Sequence, residues 1–260
     1  MKQTEIGAIP AEWEVVKLES VAKKMQSGGT PKSNQDHYYG GEIPFVKIDD
    51  ITSSGKYLER TKTSISQEGL ANCSAWVVPE NSLLYSMYAS LGFVSINRLP
   101  VATNQAIMNI VPNDKVQLDF LYYCLTDLQD KIDRFISQTT QKNLNAQIVR
   151  GFLVPLPPIP EQRKIAEILS TLDEKMAVID EQLAQTQELK KGLMQRLLTK
   201  GIGHTQFKDS PLGEIPAGWE AAKLEKLVSK VGSGVTPQGG RETYLTEGVL
   251  FIRSQNVLNG

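Results

Sequence analysis

Apolar and polar positions change their period along this chain. Residues 43–51, 76–78, 83–88, 93–97 and 106–111 are short runs rich in β-branched and aromatic side chains, bounded by Gly, Pro and Asn. Such runs predict strands, because branched and aromatic side chains pack well on a pleated surface. From residue 118 the period lengthens. Leu118, Leu121, Leu125, Leu128, Ile132 and Phe135 recur in steps of three and four, the spacing of one helix face. Asp119 is placed to cap that helix. Two polar stretches interrupt the pattern: Ser27-Gly28-Gly29-Thr30-Pro31 opens a loop reaching Gly41, and residues 137–147 carry amides and hydroxyls with almost no charge.

The most regular segment follows Pro155-Leu156-Pro157-Pro158-Ile159-Pro160. Prolines are tolerated where a helix begins, since the first N–H groups have no helical partner. From Glu161 to about Thr199 there is no proline, and the only glycine is Gly192. Ile165, Leu169, Leu172, Met176, Ile179 and Leu183 alternate in steps of four and three; Thr186 and Lys190 interrupt, and Leu193 and Leu197 resume. This is a coiled-coil seam. Glu161 and Glu167 lie near the start, and Lys190, Lys191, Arg196 and Lys200 near the end, matching the helix dipole. Gly201 and Gly203 stop the helix. At 1.5 Å per residue the predicted rod is roughly 58 Å long. A narrow stripe on so long a helix favours a second helix over packing across its own globular domain.

A repeat organises the whole. Residues 6–31 and 212–237 match at a constant offset of 206, with 14 of 26 positions identical. The shared residues include Gly7, Ile9, Pro10, Trp13, Glu14, Leu18, Ser27, Gly28, Thr30 and Pro31. The register continues weakly to Tyr38 with Tyr244, and to Ile43, Phe45 and Val46 with Val249, Phe251 and Ile252. A period this long means duplication of a whole domain. We expect a domain over 1–155, a connector helix over 156–203, and the start of a second, incomplete domain over 204–260. The fold class is α+β: a mixed or antiparallel sheet followed by a long coiled-coil-type helix. Trp13 reads as core.

Composition narrows the picture only a little. The chain has 260 residues, 40% hydrophobic, with a formal net charge of -1. That balance does not advertise a phosphate-binding surface, yet a local basic patch is compatible with it. No window approaches the ~20 apolar residues of a membrane span. The first ten residues lack the apolar core of a signal peptide. Cys73 and Cys124 sit among apolar residues and suggest a reducing cytoplasm. Catalytic signatures are missing. There is no phosphate-binding loop ending in Gly-Lys-Ser/Thr. Pro157-Pro158 lacks the flanking residues of an amino-methyltransferase motif. His37 and His204 are isolated and suggest neither a metal cluster nor a triad.

Taken in order, several segments resemble the Type I restriction-modification specificity subunit. They are the repeated Ile-Pro-x-x-Trp-Glu at Ile9 and Ile215, Ser27-Gly28 with Thr30-Pro31, Thr103-Asn104-Gln105-Ala106, Gln141-Lys142-Asn143-Leu144-Asn145, and Leu156-Pro157-Pro158-Ile159-Pro160-Glu161-Gln162 leading into Arg163-Lys164-Ile165. The family's layout is two target-recognition domains, each followed by a helix, with the helices pairing antiparallel. A second complete domain and helix are missing here. The resemblance therefore implies either a truncated product or a half-length subunit that dimerises through the connector.

The resemblance implies double-stranded DNA as ligand and methylation and restriction subunits as partners. S-adenosylmethionine and ATP with magnesium would belong to those partners, and none to this chain. Base reading needs short polar side chains on loops, and phosphate binding needs cations and amides. The candidates are Thr30, Lys32, Ser33, Asn34, Lys47, Asp49, Asp50, Tyr88, Asn104, Gln105, Gln141, Lys142 and Asn143. Individually, most such residues form turns; as a set they mark the loops. Tyr85 and Trp76 are more simply read as sheet core. Two other classes stay open: the specificity region of a fused methyltransferase-nuclease, and a coiled-coil interaction protein with no DNA role.

Overall fold

The computed structural model describes residues 1–132, 144–235, 238 and 252. In chain order the strands are β1 (Lys2–Thr4), β2 (Gly7–Ile9), β3 (Glu14–Lys17), β4 (Ala22–Ser27), β5 (Tyr39–Val46), β6 (Tyr57–Leu58), β7 (Thr63–Ile65), β8 (Leu83–Ser86), β9 (Val94–Asn97), β10 (Ala102–Thr103), β11 (Ile107–Pro112), β12 (Leu153–Leu156), β13 (Phe207–Ser210) and β14 (Gly213–Pro216). The helices are α1 (Ile48–Ser54), α2 (Gln67–Ala71), α3 (Leu118–Gln129), α4 (Ala146–Arg150) and α5 (Ile159–Lys200). The chain forms two compact bodies, Met1–Gln182 and Leu183–Gly260.

In the first body a five-stranded sheet has the order β4-β11-β8-β9-β6, and a three-stranded sheet the order β10-β5-β7. Most pairs are antiparallel; β5 with β10 and β6 with β9 are parallel. The large sheet is buried on both faces, so its strands alternate between two cores. Leu83, Tyr85, Val94, Ile96, Met108 and Ile110 face α3, α4, β12 and Ala166 of α5. Leu84 and Ile107 face Val46, Ile51, Leu58, Val78 and Val101. Two-sided burial explains why these strands read as near-continuous apolar runs. Buried Asn97 is satisfied locally: its amide donates to the carbonyls of Pro79 and Leu99, and its oxygen accepts from Ser82 N–H.

Several boundaries differ from expectation. Residues 43–51 are not one strand: β5 ends at Val46 and α1 begins at Ile48. Asp50 causes the break, because its carboxylate accepts from the Lys47 N–H at 2.8 Å and caps the new helix. Residues 76–78 form no strand, only a bridge from Val78 to Val101. Gln117, not Asp119, caps α3, its side-chain oxygen accepting from Phe120 N–H at 2.5 Å. That helix ends at Gln129, and Phe135 lies outside the described residues. Trp13 is half-buried rather than core, and its indole N–H donates to Glu161 at 3.0 Å.

Helix α5 is continuous over 42 residues, ~63 Å at the standard rise. Its first turns pack on the domain. Gln162 and Ala166 are buried, and Ile165 touches the core. Packing across its own domain is therefore confined to the first turns: Ile165 and Leu169 are half-buried, while Leu172, Met176, Ile179, Leu183, Leu193 and Leu197 are exposed. Met176, at 62% exposure, has no apolar cover.

In the second body the hairpin β13–β14 reproduces β1–β2. Lys2↔Ile9, Gln3↔Ala8 and Thr4↔Gly7 become Lys208↔Ile215, Asp209↔Glu214 and Ser210↔Gly213, each shifted by 206. Even the turn contact recurs: Thr4 and Ser210 hydroxyls donate to the carbonyls of Gly7 and Gly213, both at 2.7 Å. Gly201 ends α5 in the left-handed region at φ 65°. Lys200 pairs with Glu214 and lies over Phe207. The expected Tyr244, Val249 and Phe251 fall outside the described residues.

Candidate nucleic-acid interface

Strand order gathers the candidate loops at one end of β11. Parallel pairing of β5 with β10 sends both strands out at the same edge, so Lys47 emerges beside Asn104. The Asn104 N–H donates to the Val46 carbonyl at 3.3 Å. Strand β4 runs antiparallel to β11 and ends at Ser27 opposite Met108, which brings Gly28 to Ile107. Strand β8 ends at Ser86 opposite Ile107, and Met87 N–H donates to Ala106 O at 2.8 Å, leaving Tyr88 exposed beside them. Leu144 N–H then donates to Met87 O at 3.1 Å, delivering part of the second polar stretch to the same edge.

The loop at Gly28 is held by a close backbone approach. Gly29 N–H donates to Thr103 O at 2.9 Å. A Cβ on Gly28 would lie 1.9 Å from Thr103 O, so only glycine fits. Beyond it the Thr30 hydroxyl donates to the Gln105 amide oxygen at 2.5 Å, tying two candidate loops by their side chains. Asn104 Oδ1 accepts from Ala106 N–H at 3.1 Å, which leaves its amide NH2 for other partners. Lys32, Ser33, Asn34, Lys47, Asp49 and Gln105 are exposed.

One candidate is corrected. Asp50 is buried, and its second oxygen accepts from Lys62 N–H at 3.1 Å. With both oxygens used by the backbone it is a structural cap. Gln141, Lys142 and Asn143 lie outside the described residues. Tyr85 is buried against Phe152, edge to face at 5.9 Å, and burial pushes its hydroxyl pKa above the ordinary tyrosine value. Trp76 is half-buried beneath Lys24, whose ammonium sits 3.5 Å from the ring centre. Among the described residues no three His, Cys, Asp or Glu side chains gather as a metal site, and no helix is long and apolar enough to cross a membrane.

The family model for the Type I restriction modification DNA specificity domain matches residues 10–188. The chain belongs to that family. The MjaIX specificity subunit of the Type I restriction enzyme from Methanocaldococcus jannaschii is 28% identical over 270 residues, covering 100% of this chain and 61% of the relative. A putative MjaX specificity subunit from the same organism is 32% identical, over 98% of this chain and 62% of its own length. The chain thus spans about three-fifths of these relatives. The fold is also that of solved members. The HsdS subunit from Thermoanaerobacter tengcongensis superposes with a TM-score of 0.55 at 20% identity, over 73% of this chain and 45% of that one. A chain solved in work on assembly of the type I R-M system gives 0.61 at 23% identity, over 74% and 46%.

Sequence reasoning missed a second polar cluster, made by residues outside the candidate set. The Lys56 ammonium, only 11% exposed, reaches Asp119 Oδ1 at 2.9 Å, Ser170 Oγ at 2.8 Å and Tyr123 Oη at 3.2 Å. The hydroxyl of Tyr57 donates to the same Asp119 oxygen at 2.9 Å, and that of Tyr123 to Asp173 at 2.6 Å. Burial alone lowers the Lys56 pKa, but hydrogen bonds with Asp119, Tyr123 and Tyr57 and the charge of Asp119 together outweigh it and raise the net value. Burial likewise raises Asp119, while hydrogen bonds from Lys56, Gln117 and Tyr57 bring it below the usual carboxylate value. No spacing in the sequence links residues 56, 119 and 170; only the fold does.

Proposed function

We propose that this chain reads one half of an interrupted DNA target and carries it to the methylation and restriction subunits of a Type I system. The observation that carries the reading is the convergence of the loops after β4, β5, β8 and β10 at the N-terminal end of β11. Exposed amides, hydroxyls and two lysines on one edge suit base edges and phosphates. In this reading the chain holds no group-transfer chemistry; S-adenosylmethionine and ATP with magnesium serve the partner subunits, and the complex works in the cytoplasm.

The rod pairs antiparallel with the rod of a second copy. Charge favours that direction. Between Ile159 and Gln182 the helix carries six acids and three bases; between Leu183 and Lys200 it carries one acid and four bases. Antiparallel pairing sets each acidic half against a basic one, whereas parallel pairing sets like against like. The groove formed by Leu189, Leu193, Met194, Leu197 and Leu198 continues the apolar surface of the seam.

The test is binding to duplex DNA from 50 to 200 mM salt. We expect affinity to fall steeply and linearly with the logarithm of salt, and Lys47→Ala to reduce the slope by about one phosphate contact. Binding that is absent at low salt contradicts the reading and favours an interaction protein.

A further inference from the structure

Helix α5 packs on the recognition domain over its first turns, where Ile165 and Ala166 meet the core, and a polar joint lies at each end of that contact. At its first turn Gln162 is buried; its amide donates to Pro157 O at 2.8 Å and Lys115 O at 3.1 Å, and its oxygen accepts from Gln117 N–H at 2.8 Å. The second joint lies eight to eleven residues on, ~12–16 Å along the axis. There Ser170 and Asp173 meet Lys56 and Tyr123. Past Ser170 every residue to Gln182 is exposed. The apolar contact covers only the first turns, and the second joint at its far end narrows the swing that packing alone leaves open.

Lys56 is built for this joint. An ammonium has three donors, and here each has an acceptor: Asp119 and Tyr123 on successive turns of α3, and Ser170 on α5. The rings of Tyr123, Tyr57 and Tyr122 surround it at 4.6, 5.1 and 5.5 Å. The backbone of Lys56 is itself fixed to the sheet, its carbonyl accepting from Ile96 N–H at 2.8 Å. The ammonium therefore joins sheet, α3 and rod.

We infer that Lys56, with Tyr123, is a positioning residue that fixes the direction of the connector rod against the recognition domain, and through it the number of unread base pairs between two half-sites. The inference rests on the half-site reading above. Leverage makes it consequential: ~40 Å of helix lies beyond Asp173, so a swing of ~10° moves its far end by ~7 Å, about two base-pair steps of DNA.

Two experiments separate the inference from the reading beneath it. The first uses spin labels at Lys62→Cys and Val178→Cys, both exposed in the first body, with Cys73→Ser and Cys124→Ala. Double electron–electron resonance on the otherwise wild-type chain should give one narrow distance distribution. Lys56→Met, Lys56→Arg and Tyr123→Phe should each broaden it at least twofold. Arginine keeps the charge but is a planar fork that does not reproduce three divergent donors. The double variant Ser170→Ala/Asp173→Ala breaks the joint from the rod side, where substitution disturbs the core least. Unchanged distributions in folded variants, or a broad wild-type distribution, overturn the inference.

The second experiment selects bound duplexes from a randomised library. The wild type should enrich paired half-sites at one spacing, and Lys56→Met the same half-sites with spacings spread over several base pairs. Identical spacing in both overturns the joint. If the wild type enriches no paired half-sites, the half-site reading fails, and the spin-label result alone decides whether the joint exists.

Discussion

At the scale of single residues, two groups decide whether the candidate surface and the rod keep their places. Gly28 lets two backbones meet where any Cβ collides with Thr103 O. Gly28→Ala should cost about 2 kcal/mol in chemical denaturation, with a matching loss of DNA binding; wild-type stability would mean that the loops need no such contact. Asp119 anchors the Lys56 joint. Its pKa is lowered in the folded state, so its contribution is full above the unfolded value, about 3.9, and fades as pH falls through the folded one. Asp119→Asn should therefore cost about 2 kcal/mol near pH 7, since it leaves a shielded ammonium without its counter-charge, and the gap from wild type should close toward pH 2. Parallel stability curves for the two proteins would contradict the assignment. Residue identity alone did not reveal these roles. The Gly-Gly pair marked a loop, but its collision partner lies 75 residues away at Thr103, and Asp50 looked like an exposed loop acid until its two backbone contacts became visible.

At the scale of elements, local period was the reliable signal wherever one environment covered a whole segment. The strands β8, β9 and β11 and helix α3 are legible because burial repeats along them, and α5 because its apolar positions recur along a mostly exposed rod. Period misled where a local side-chain cap changed the backbone mid-run, as after Val46, where the Asp50 cap starts a helix. Short elements such as α2 and α4, capped by Ser66 and Asn145 through hydrogen bonds of 3.1 and 2.9 Å, carry too few residues for periodicity to show. The seam was legible; its division was not, because the burial of Gln162 beside Pro157 depends on residues 115 and 117. The exposed part of the seam gives a further test. Met176→Glu with Ile179→Glu should shift the chain from dimer to monomer in sedimentation, with secondary structure nearly unchanged by circular dichroism. Both side chains are exposed within the chain, so nothing in its own fold is lost. A wild-type monomer at micromolar concentration contradicts pairing between copies.

At the scale of the whole molecule, the repeat carries the argument. One hairpin geometry, in one register, opens both copies, and family membership rests on residues 10–188, the first domain and most of its rod. A chain spanning about three-fifths of its relatives has one candidate surface among its described residues and one rod. Two copies related by a two-fold axis would restore two of each, and the symmetry forces both half-sites to be the same sequence, inverted. The measurement that tests this most directly is a methylome of cells expressing the chain with its cognate methylation subunit. The account predicts new methylation at an interrupted palindrome, its two halves identical and separated by a fixed number of unread base pairs. A contiguous, asymmetric methylated site would contradict it.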